Sequence, residues 1–436
     1  MTGFNRTIVK WSSKMPLFYR YSFKIGSYIT IAMLPFAICI VIGSLFTGSS
    51  HESISTSTDN NYQKMSRLEI LLPGINLPLN EIIYYIMALL ICSVVHELGH
   101  GIAAVLEDIP VIGFGLSLIF IVPIAYTQID NDHLQAAKFW KKIKIYSAGI
   151  WNNIVLAAWC YIILLLLPIF LSPIYTMNEA VFVTKIKANA PLKGENGLYV
   201  GDAITHLNGC KVRNENEWID CLKEAMLHHP GFCVSEEFVH ENEESIHEVE
   251  HRKDGTITCC PENTALNCFE NYDEERLPQY ICLNIRKTVE HAKSYCQTSS
   301  CPESTSCIKP ILPNSTTVNH IKRKNRTKDM IYYGHPYEIF SNIEVSDFVP
   351  KTKKFEPWIG NSIALLLKYL IVFSSGLAVI NVVPCYGLDG HHLINTLIAK
   401  LPLSHSNKSS LSFVINLFGS ITLLLSILKI LYTTFM

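Results

Sequence analysis

Charged residues are scarce in this sequence, and their scarcity argues against an ordinary soluble protein. Asp, Glu, Lys and Arg make up 17% of the 436 residues, whereas hydrophobic residues make up 49% and the mean hydropathy is +0.23. Such a composition is typical of a polytopic membrane protein. The sequence also lacks a basic stripe with interleaved aromatic residues, so we expect no nucleic-acid partner.

Acidic residues are absent from the first 24 positions, although five basic residues are present there: Arg6, Lys10, Lys14, Arg20 and Lys24. By the positive-inside rule, this predicts a cytoplasmic N-terminus. The next 22 residues, 25–46, are apolar and long enough to form a first span. A cleaved signal peptide is the alternative, but the late start and the length of the segment favour an uncleaved span.

Pairs of the form C-x-x-C are absent, which argues against a zinc ribbon. Ten of the fourteen cysteines nevertheless fall between Cys210 and Cys307. An even and dense set of cysteines predicts disulfides in an oxidising lumen, with a pairing that the sequence does not reveal. Two glycosylation sequons, at Asn314 and Asn325, favour the same luminal placement.

The most informative motif is His96-Glu97-Leu98-Gly99-His100, which lies in an apolar run. On a helix, residues four apart share a face, so His96 and His100 are predicted to bind one metal ion. Glu97 is then the candidate base that takes a proton from the attacking water. The alternative is a polar cluster that only holds helices together. We favour the metal site because ionisable residues at membrane depth are costly unless they pair or bind metal.

A third ligand is needed, because two histidines leave a catalytic zinc one protein ligand short. Asp389 follows a later apolar segment, residues 359–383, and is expected at the same membrane depth as the two histidines. Pro384 and Gly387 interrupt the helix before it. His391 and His392 are interpreted as polar residues at a helix start rather than as ligands.

Three further features are expected near this depth. The segment 111–129 is apolar but interrupted by glycine and proline, and we interpret it as a re-entrant hairpin, with a short span as the alternative. Asn152 and Asn153, at the start of another apolar segment, either bind the backbone of a peptide substrate or hold helices together. Gly99 and Gly101 are predicted to let a second helix approach closely.

The predicted fold is a polytopic α-helical membrane protein of about five spans, with a re-entrant hairpin and a disulfide-rich luminal insertion. Within the insertion, residues 180–186 alternate like a strand, and Asn208-Gly209 predicts a tight turn between strands. The predicted segments are a cytoplasmic N-terminus (1–24), a first span (25–46), a luminal loop (47–80), the first part of a membrane catalytic core (81–171), the luminal region (172–357), the second part of the core (358–400) and a C-terminal span (401–436).

Taken together, these motifs resemble the site-2 protease family of intramembrane metalloproteases. The resemblance covers about residues 81–400 and is carried by H-E-L-G-H at 96–100, A-G-I-W-N-N at 148–153 and N-V-V-P-C-Y-G-L-D-G at 381–390. It implies that one zinc ion is bound by His96, His100 and Asp389, with Glu97 as the catalytic acid/base. It also implies that Asn381, with Asn152 or Asn153, holds the substrate backbone. One departure is Pro123-Ile124-Ala125 in the hairpin, where the resemblance leads us to expect Pro-Gly-Ala.

The resemblance further implies a function. The substrates would be single-span, membrane-tethered transcription factors already cut on their luminal side, and sterol and stress signalling would depend on their release. The protein would be a multi-pass component of the endoplasmic reticulum or Golgi membrane, in contact with lipid, with a PDZ-like β-rich module in its lumen. A zinc transporter and a catalytically inactive receptor are the alternatives. The clustering of the polar residues at one depth disfavours the first, and the intact glutamate and ligand set disfavour the second.

Overall fold

The chain folds into two compact units. The computed structural model describes residues 15–46, 79–119, 122–193, 197–246, 250–251, 257–261, 265–272, 277–297, 301–312, 316–324, 326–352 and 354–435. One unit, the membrane unit, comprises residues 1–166 and 363–436, and the other, the inserted unit, comprises residues 167–362. The insertion expected from the sequence, 172–357, is five residues shorter at each end.

The membrane unit is mainly helical. Its elements, in chain order, are α1 (Pro16–Phe46), a 3-10 turn (Leu79–Glu81), α2 (Ile82–Leu106), β1 (Val111–Ile119), β2 (Val122–Ile129), α3 (Asn131–Ala136), α4 (Phe139–Leu171), α9 (Pro357–Val382), α10 (Asp389–Ala399) and α11 (His405–Phe435). Among the described residues, five helices are long and apolar enough to cross a membrane, namely α1, α2, α4, α9 and α11. The prediction of a polytopic helical protein with about five spans is therefore confirmed.

Helices α2 and α4 pack closely because small residues line their contact. Ala103 and Ala104 of α2 are buried in one cluster with Ile145 and Ala148 of α4. A Cβ atom added to Gly99 would lie 2.6 Å from the carbonyl oxygen of Ala148. An alanine at position 99 would therefore push the helices apart, as expected of small residues at a helix contact in a membrane.

Polar contacts join α1 to α11. The Ser44 hydroxyl donates a hydrogen bond to the Ser426 hydroxyl at 2.9 Å. The Lys429 ammonium group donates to the carbonyl oxygens of Ser44 and Leu45, at 3.1 and 2.8 Å. A positive charge at the C-terminal end of a helix interacts favourably with the helix dipole, so Lys429 stabilises the end of α1.

The segment expected to be a re-entrant hairpin is a two-stranded antiparallel β-hairpin. Strands β1 and β2 pair from Val111 with Ile129 to Ile119 with Val122. The backbone N–H of Ala125 donates to the Ser93 hydroxyl at 2.7 Å, and the Thr127 hydroxyl donates to the carbonyl oxygen of Glu97 at 2.8 Å. Both bonds tie β2 to the turns of α2 that hold the histidine motif.

Over its described residues, the inserted unit is rich in β-strands and contains four short helices. The elements, in chain order, are β3 (Tyr175–Thr176), β4 (Val181–Ile186), β5 (Ala203–Leu207), β6 (Cys210–Lys211), α5 (Glu215–Leu227), β7 (Gly231–Ser235), α6 (Glu236–Asn242), β8 (Glu250–His251), β9 (Ile257–Thr258), β10 (Asn267–Asn271), β11 (Tyr280–Leu283), α7 (Ile285–His291), β12 (Ser294–Cys296), β13 (Thr305–Pro310), β14 (Thr317–Arg323), β15 (Met330–Gly334), α8 (Pro336–Asn342), β16 (Ile343–Ser346) and β17 (Val349–Pro350).

Two larger sheets organise this unit. One has the order β15-β14-β5-β4-β16, with β6 paired to β5, and the other has the order β11-β10-β13-β7-β12. The predicted strand and turn are both present, as β4 and as the tight turn between β5 and β6, where Asn208 and Gly209 have φ values of 49° and 83°. These observations show a β-rich region, whereas its likeness to a PDZ domain stays a prediction.

All ten clustered cysteines form disulfides, as predicted. The pairs are Cys210–Cys221, Cys233–Cys301, Cys259–Cys268, Cys260–Cys282 and Cys296–Cys307. The four free cysteines, at positions 39, 92, 160 and 385, all belong to the membrane unit. The oxidised and free cysteines are therefore separated completely between the two units.

Candidate metal centre

The two histidines of the motif face each other on α2. Their Nε2 atoms are 3.2 Å apart, and each residue is 7% exposed. The four-residue spacing places both rings on one helix face, one turn apart.

Asp389, the first residue of α10, completes a triangle with the histidines. Its Oδ2 atom lies 3.0 Å from Nε2 of His96 and 3.2 Å from Nε2 of His100. Helix α9 ends at Val382 and α10 begins at Asp389, so a non-helical turn that contains Pro384 lets this side chain point at α2. The structure thus brings the three predicted ligands together.

The geometry of this triangle fits one zinc ion. Zinc is held tetrahedrally at about 2.0–2.1 Å from histidine nitrogen and carboxylate oxygen, which separates neighbouring ligand atoms by about 3.3 Å. The three observed separations of 3.0 to 3.2 Å are close to that value. Two imidazoles and one carboxylate are a donor set that leaves the fourth zinc position open.

Each histidine has a second contact that fixes the orientation of its ring. His100 donates through Nδ1 to the carbonyl oxygen of Ile145 at 2.8 Å, which leaves the Nε2 lone pair directed at the metal position. The Nδ1 atom of His96 lies 3.2 Å from the side-chain amide of Asn153, a residue with no exposed surface.

Gly149 of α4 lies directly against both rings. A Cβ atom at this position would lie 2.7 Å from Cε1 and Nε2 of His96, and it would also clash with Nε2 of His100. Glycine is therefore required here by close approach of a backbone to the ligands.

Glu97 is close enough to act on a group bound at the metal. A carboxylate oxygen of Glu97 and one ring nitrogen from each of His96 and His100 lie within 4.8 Å of one another. The residue is only partly buried. The hydrogen bond from Thr127 to its carbonyl oxygen leaves the side chain free for chemistry.

The amide residues predicted to bind substrate occupy different surroundings. Asn152 donates to the carbonyl oxygen of Val95 at 3.2 Å, and Asn153 contacts His96. Asn381, on the last turn of α9, is half-buried. Substrate binding by these three residues stays a prediction. Asn314 and Asn325, the predicted glycosylation sites, lie outside the described residues.

Other histidines and cysteines have partners of their own. His392 stacks on Tyr146, with ring centroids 5.1 Å apart and nearly parallel planes, so it lies beside the metal centre. The cysteine groups around Cys233 and Cys259 are engaged in disulfides and offer no thiolate. Sequence reasoning missed the contact of Asn153 with His96 and the role of Gly149, because both depend on the packing of α4 against α2.

Comparisons with known proteins agree with this arrangement. A sequence model of Peptidase family M50 matches residues 84–426. An Arabidopsis thaliana protein described as "Membrane-bound transcription factor site-2 protease homolog" is 36% identical over 148 residues, which is 34% of this chain. The match spans 28% of the length of that curated relative.

Proposed function

We propose that this chain, which belongs to peptidase family M50, is a metalloendopeptidase of the site-2 protease type. In this proposal it cuts single-span membrane proteins within their transmembrane segments. The substrates in this proposal are membrane-tethered transcription factors that have already been cut on the luminal side. The observation that supports it best is the convergence of His96, His100 and Asp389, beside Glu97, among helices of membrane-spanning length.

Enzymes of this family are zinc metalloproteases, and the donor set described above fits one zinc ion per chain. When bound, zinc would polarise the scissile carbonyl and make a water molecule more acidic. His96, His100 and Asp389 would hold the ion. Asn153 and the carbonyl group of Ile145 would keep the two imidazoles in the required orientation.

Glu97 supplies the proton transfers in the proposed reaction. Its carboxylate takes a proton from the attacking water as the new C–O bond forms. It then returns that proton to the nitrogen of the departing amine as the C–N bond breaks. A carboxylate adjacent to the ligands is suited to both steps without a second base.

The substrate helix must unwind before attack, because its carbonyl groups are otherwise enclosed in intact helical hydrogen bonds. Proline or polar residues near the cut should therefore favour cleavage. Strand β2, bonded to α2 through Ala125 and Thr127, runs beside the site and could pair with such an extended segment. Asn381 and Asn152 are proposed to bind its backbone.

The proposed location is the membrane of the endoplasmic reticulum or Golgi, with a cytoplasmic N-terminus and a luminal inserted unit that contains a PDZ-like module. The partition of the cysteines supports the luminal assignment, since all five disulfides lie in the inserted unit. Disulfides persist in oxidising compartments. Glycosylation at Asn314 or Asn325, detected by an endoglycosidase mobility shift, would test it, and a cytoplasmic epitope there would contradict it.

The decisive experiment compares purified wild type with Glu97→Gln on a panel of single-span substrates, with metal analysis of both proteins. We expect the variant to keep its zinc and to lose at least about a hundredfold in cleavage rate, because general-base catalysis contributes that much. Retained cleavage would overturn the role of Glu97. Zinc uptake into vesicles by a wild type that cuts no substrate would instead indicate a transporter.

A further inference from the structure

A polar cleft lies in the membrane unit between the first two turns of α4 and the outer face of α10. Its volume is about 400 Å³, within the range of small-ligand sites. Side chains from α3, α4 and α10 surround it, and the lining residues are Gln135, Ala137, Phe139, Lys142, Tyr146, His392, Asn395, Thr396, Ala399 and Lys400. We call it the α4–α10 cleft.

The charge of this cleft is entirely positive. Lys142 stands on the α4 wall and Lys400 follows the last turn of the α10 wall, and no Asp or Glu is among the lining residues. Within the described ranges, neither lysine has a carboxylate partner, whereas the neighbouring Lys141 and Lys144 both pair with Glu107. Two cations on opposite walls of one cleft are suited to an anion.

Neutral hydrogen-bonding groups also line the cleft. Gln135 contributes an amide and Tyr146 a phenol, whereas the Thr396 hydroxyl already donates to the carbonyl oxygen of His392 at 2.8 Å. An anion with several acceptor oxygens could therefore receive both charge-assisted and neutral hydrogen bonds. A phosphate group has this character, with three or more strong acceptor oxygens.

Aromatic residues of the kind found where a membrane meets water lie next to the cleft. Trp140 is 48% exposed and contacts Tyr28 of α1, with ring centroids 5.6 Å apart. Tryptophan and tyrosine are enriched at membrane interfaces, and the basic cluster around residues 138–144 adds the charge typical of that level. A lipid headgroup would reach the cleft while its acyl chains follow the exposed apolar surface of α4.

We infer that the α4–α10 cleft binds the phosphate group of an anionic phospholipid through Lys142 and Lys400. The stacked pair of Tyr146 and His392 lines the cleft, and His392 lies one helical turn after the ligand Asp389. Headgroup binding would thus hold α10, the helix that begins with a metal ligand, against α4, the helix that carries Gly149 and Asn153.

The test uses full-length protein in phosphatidylcholine nanodiscs with and without phosphatidic acid. Native mass spectrometry would measure retained lipid, and the thermal unfolding midpoint would measure stabilisation. We expect selective retention of phosphatidic acid and a higher midpoint. A direct hydrogen bond between two charged groups is worth about tenfold or more in affinity, so Lys142→Gln and Lys400→Gln should each weaken binding by at least about that factor.

Two further variants separate a built site from a general surface field. Lys138→Gln removes an exposed charge from the same flank but outside the cleft lining, and should leave affinity unchanged. Ala399→Phe fills the cleft without changing charge, and should abolish selective retention. If Lys138→Gln weakens binding as much as Lys142→Gln, or if Ala399→Phe has no effect, the cleft is not the site.

Additional arms identify the source of the phosphate. Inorganic phosphate is titrated into the phosphatidylcholine nanodiscs. If it raises the unfolding midpoint as much as phosphatidic acid does, and Lys142→Gln and Lys400→Gln weaken the effect equally, then the cleft binds free phosphate and the lipid assignment is overturned.

A peptide with a free C-terminal carboxylate is compared with its amide. Binding of the acid peptide, without phosphatidic acid selectivity, would assign the cleft to a cleavage product and overturn the inference. Binding is measured in all arms, so the outcome is independent of whether the chain cuts a substrate.

Discussion

The side-chain amide of Asn153 lies 3.2 Å from Nδ1 of His96, although the residues are on different helices and 57 positions apart. The Nδ2 atom faces the ring, while the buried Oδ1 atom has no partner among the described residues. Oxygen and nitrogen of an amide are interchangeable by a half turn. With Oδ1 turned to His96, the ring N–H gains an acceptor, the orphan oxygen is satisfied and the Nε2 lone pair is directed at the metal position.

Asn153 is therefore predicted to position a metal ligand. Asn153→Ala should weaken zinc affinity by about 10- to 100-fold, the usual cost of losing such an outer partner. Asn153→Asp keeps an acceptor for His96 and should retain most of the affinity. Competition with a chromogenic chelator would measure the zinc affinity of both variants.

Asn152→Ala, which removes the hydrogen bond to the Val95 carbonyl group, is the matched control for zinc affinity. Normal zinc affinity with impaired cleavage in Asn153→Ala would instead favour the substrate-binding role.

Glycine at position 149 is predicted to be essential for metal binding. Gly149→Ala places a methyl group against both histidine rings and should lower the zinc content of the purified protein severely. Gly376→Ala is the matched control on α9, because a Cβ atom there has no neighbour within 4 Å. That control should be neutral or stabilising by up to about 1 kcal/mol, the difference in helix propensity between the residues. Full zinc content in Gly149→Ala would contradict the prediction, because it would show that α4 can shift away from the two histidine rings without loss of the metal.

Asp389→Asn should reduce zinc stoichiometry, because a neutral amide is a poorer ligand than a carboxylate and the site loses its only protein anion among the three donors. Inductively coupled plasma mass spectrometry on protein purified from matched cultures would measure it. Asp132→Asn, an exposed carboxylate of α3, provides the control and should leave zinc unchanged. Equal zinc in wild type and Asp389→Asn would exclude this residue as a ligand.

Acid is predicted to destabilise the inserted unit through His320. This buried residue accepts a hydrogen bond from the Tyr295 hydroxyl at Nδ1 (2.5 Å) and donates from Nε2 to Asp329 (3.0 Å). Burial lowers the pKa of His320, and Asp329 offsets this only in part. The folded state thus binds the proton less well than the unfolded state. Stability should be fully present above the unfolded pKa of about 6.5 and decline as pH falls below it.

Thermal unfolding midpoints of the full chain between pH 7 and about pH 5 would measure this decline. His320→Gln should flatten the profile, whereas His228→Gln, at an exposed position, should preserve it. A wild-type profile that is flat in this range would contradict the assignment.

The apolar runs predicted the number of spans but not where the helices begin. The apolar run that follows the basic cluster 138–144 begins at Ile145, whereas α4 begins at Phe139. The helix includes three charged residues, Lys141, Lys142 and Lys144. Hydropathy indicates which part of a helix is apolar enough to lie in lipid, but it does not indicate where the helical hydrogen bonds begin. The predicted C-terminal span, 401–436, shows the same effect: its apolar run begins after Lys408, but α11 begins at His405.

The metal ligands were predictable because their spacing and their membrane depth are properties of the sequence. The two histidines are four residues apart, and the aspartate follows a later span. The lengths of the helices are therefore enough to predict that all three residues lie at one membrane depth. The contact of Asn153 with His96 was not predictable, because it depends on how α4 is rotated against α2. The disulfide pairing was likewise set by the fold of the inserted unit, and the count of ten cysteines could not reveal it.

The contact of Lys429 with the end of α1 has a consequence for biogenesis. Ser44 and its partner Ser426 are separated by 382 positions, and chains grow at roughly 5–20 residues per second, so α11 follows α1 by roughly 20 to 80 s. Throughout that interval, the last carbonyl groups of α1 lack the ammonium group that later binds them. The contact between α1 and α11 therefore forms only after α11 has been synthesised, and the first and last long helices of the membrane unit are joined last.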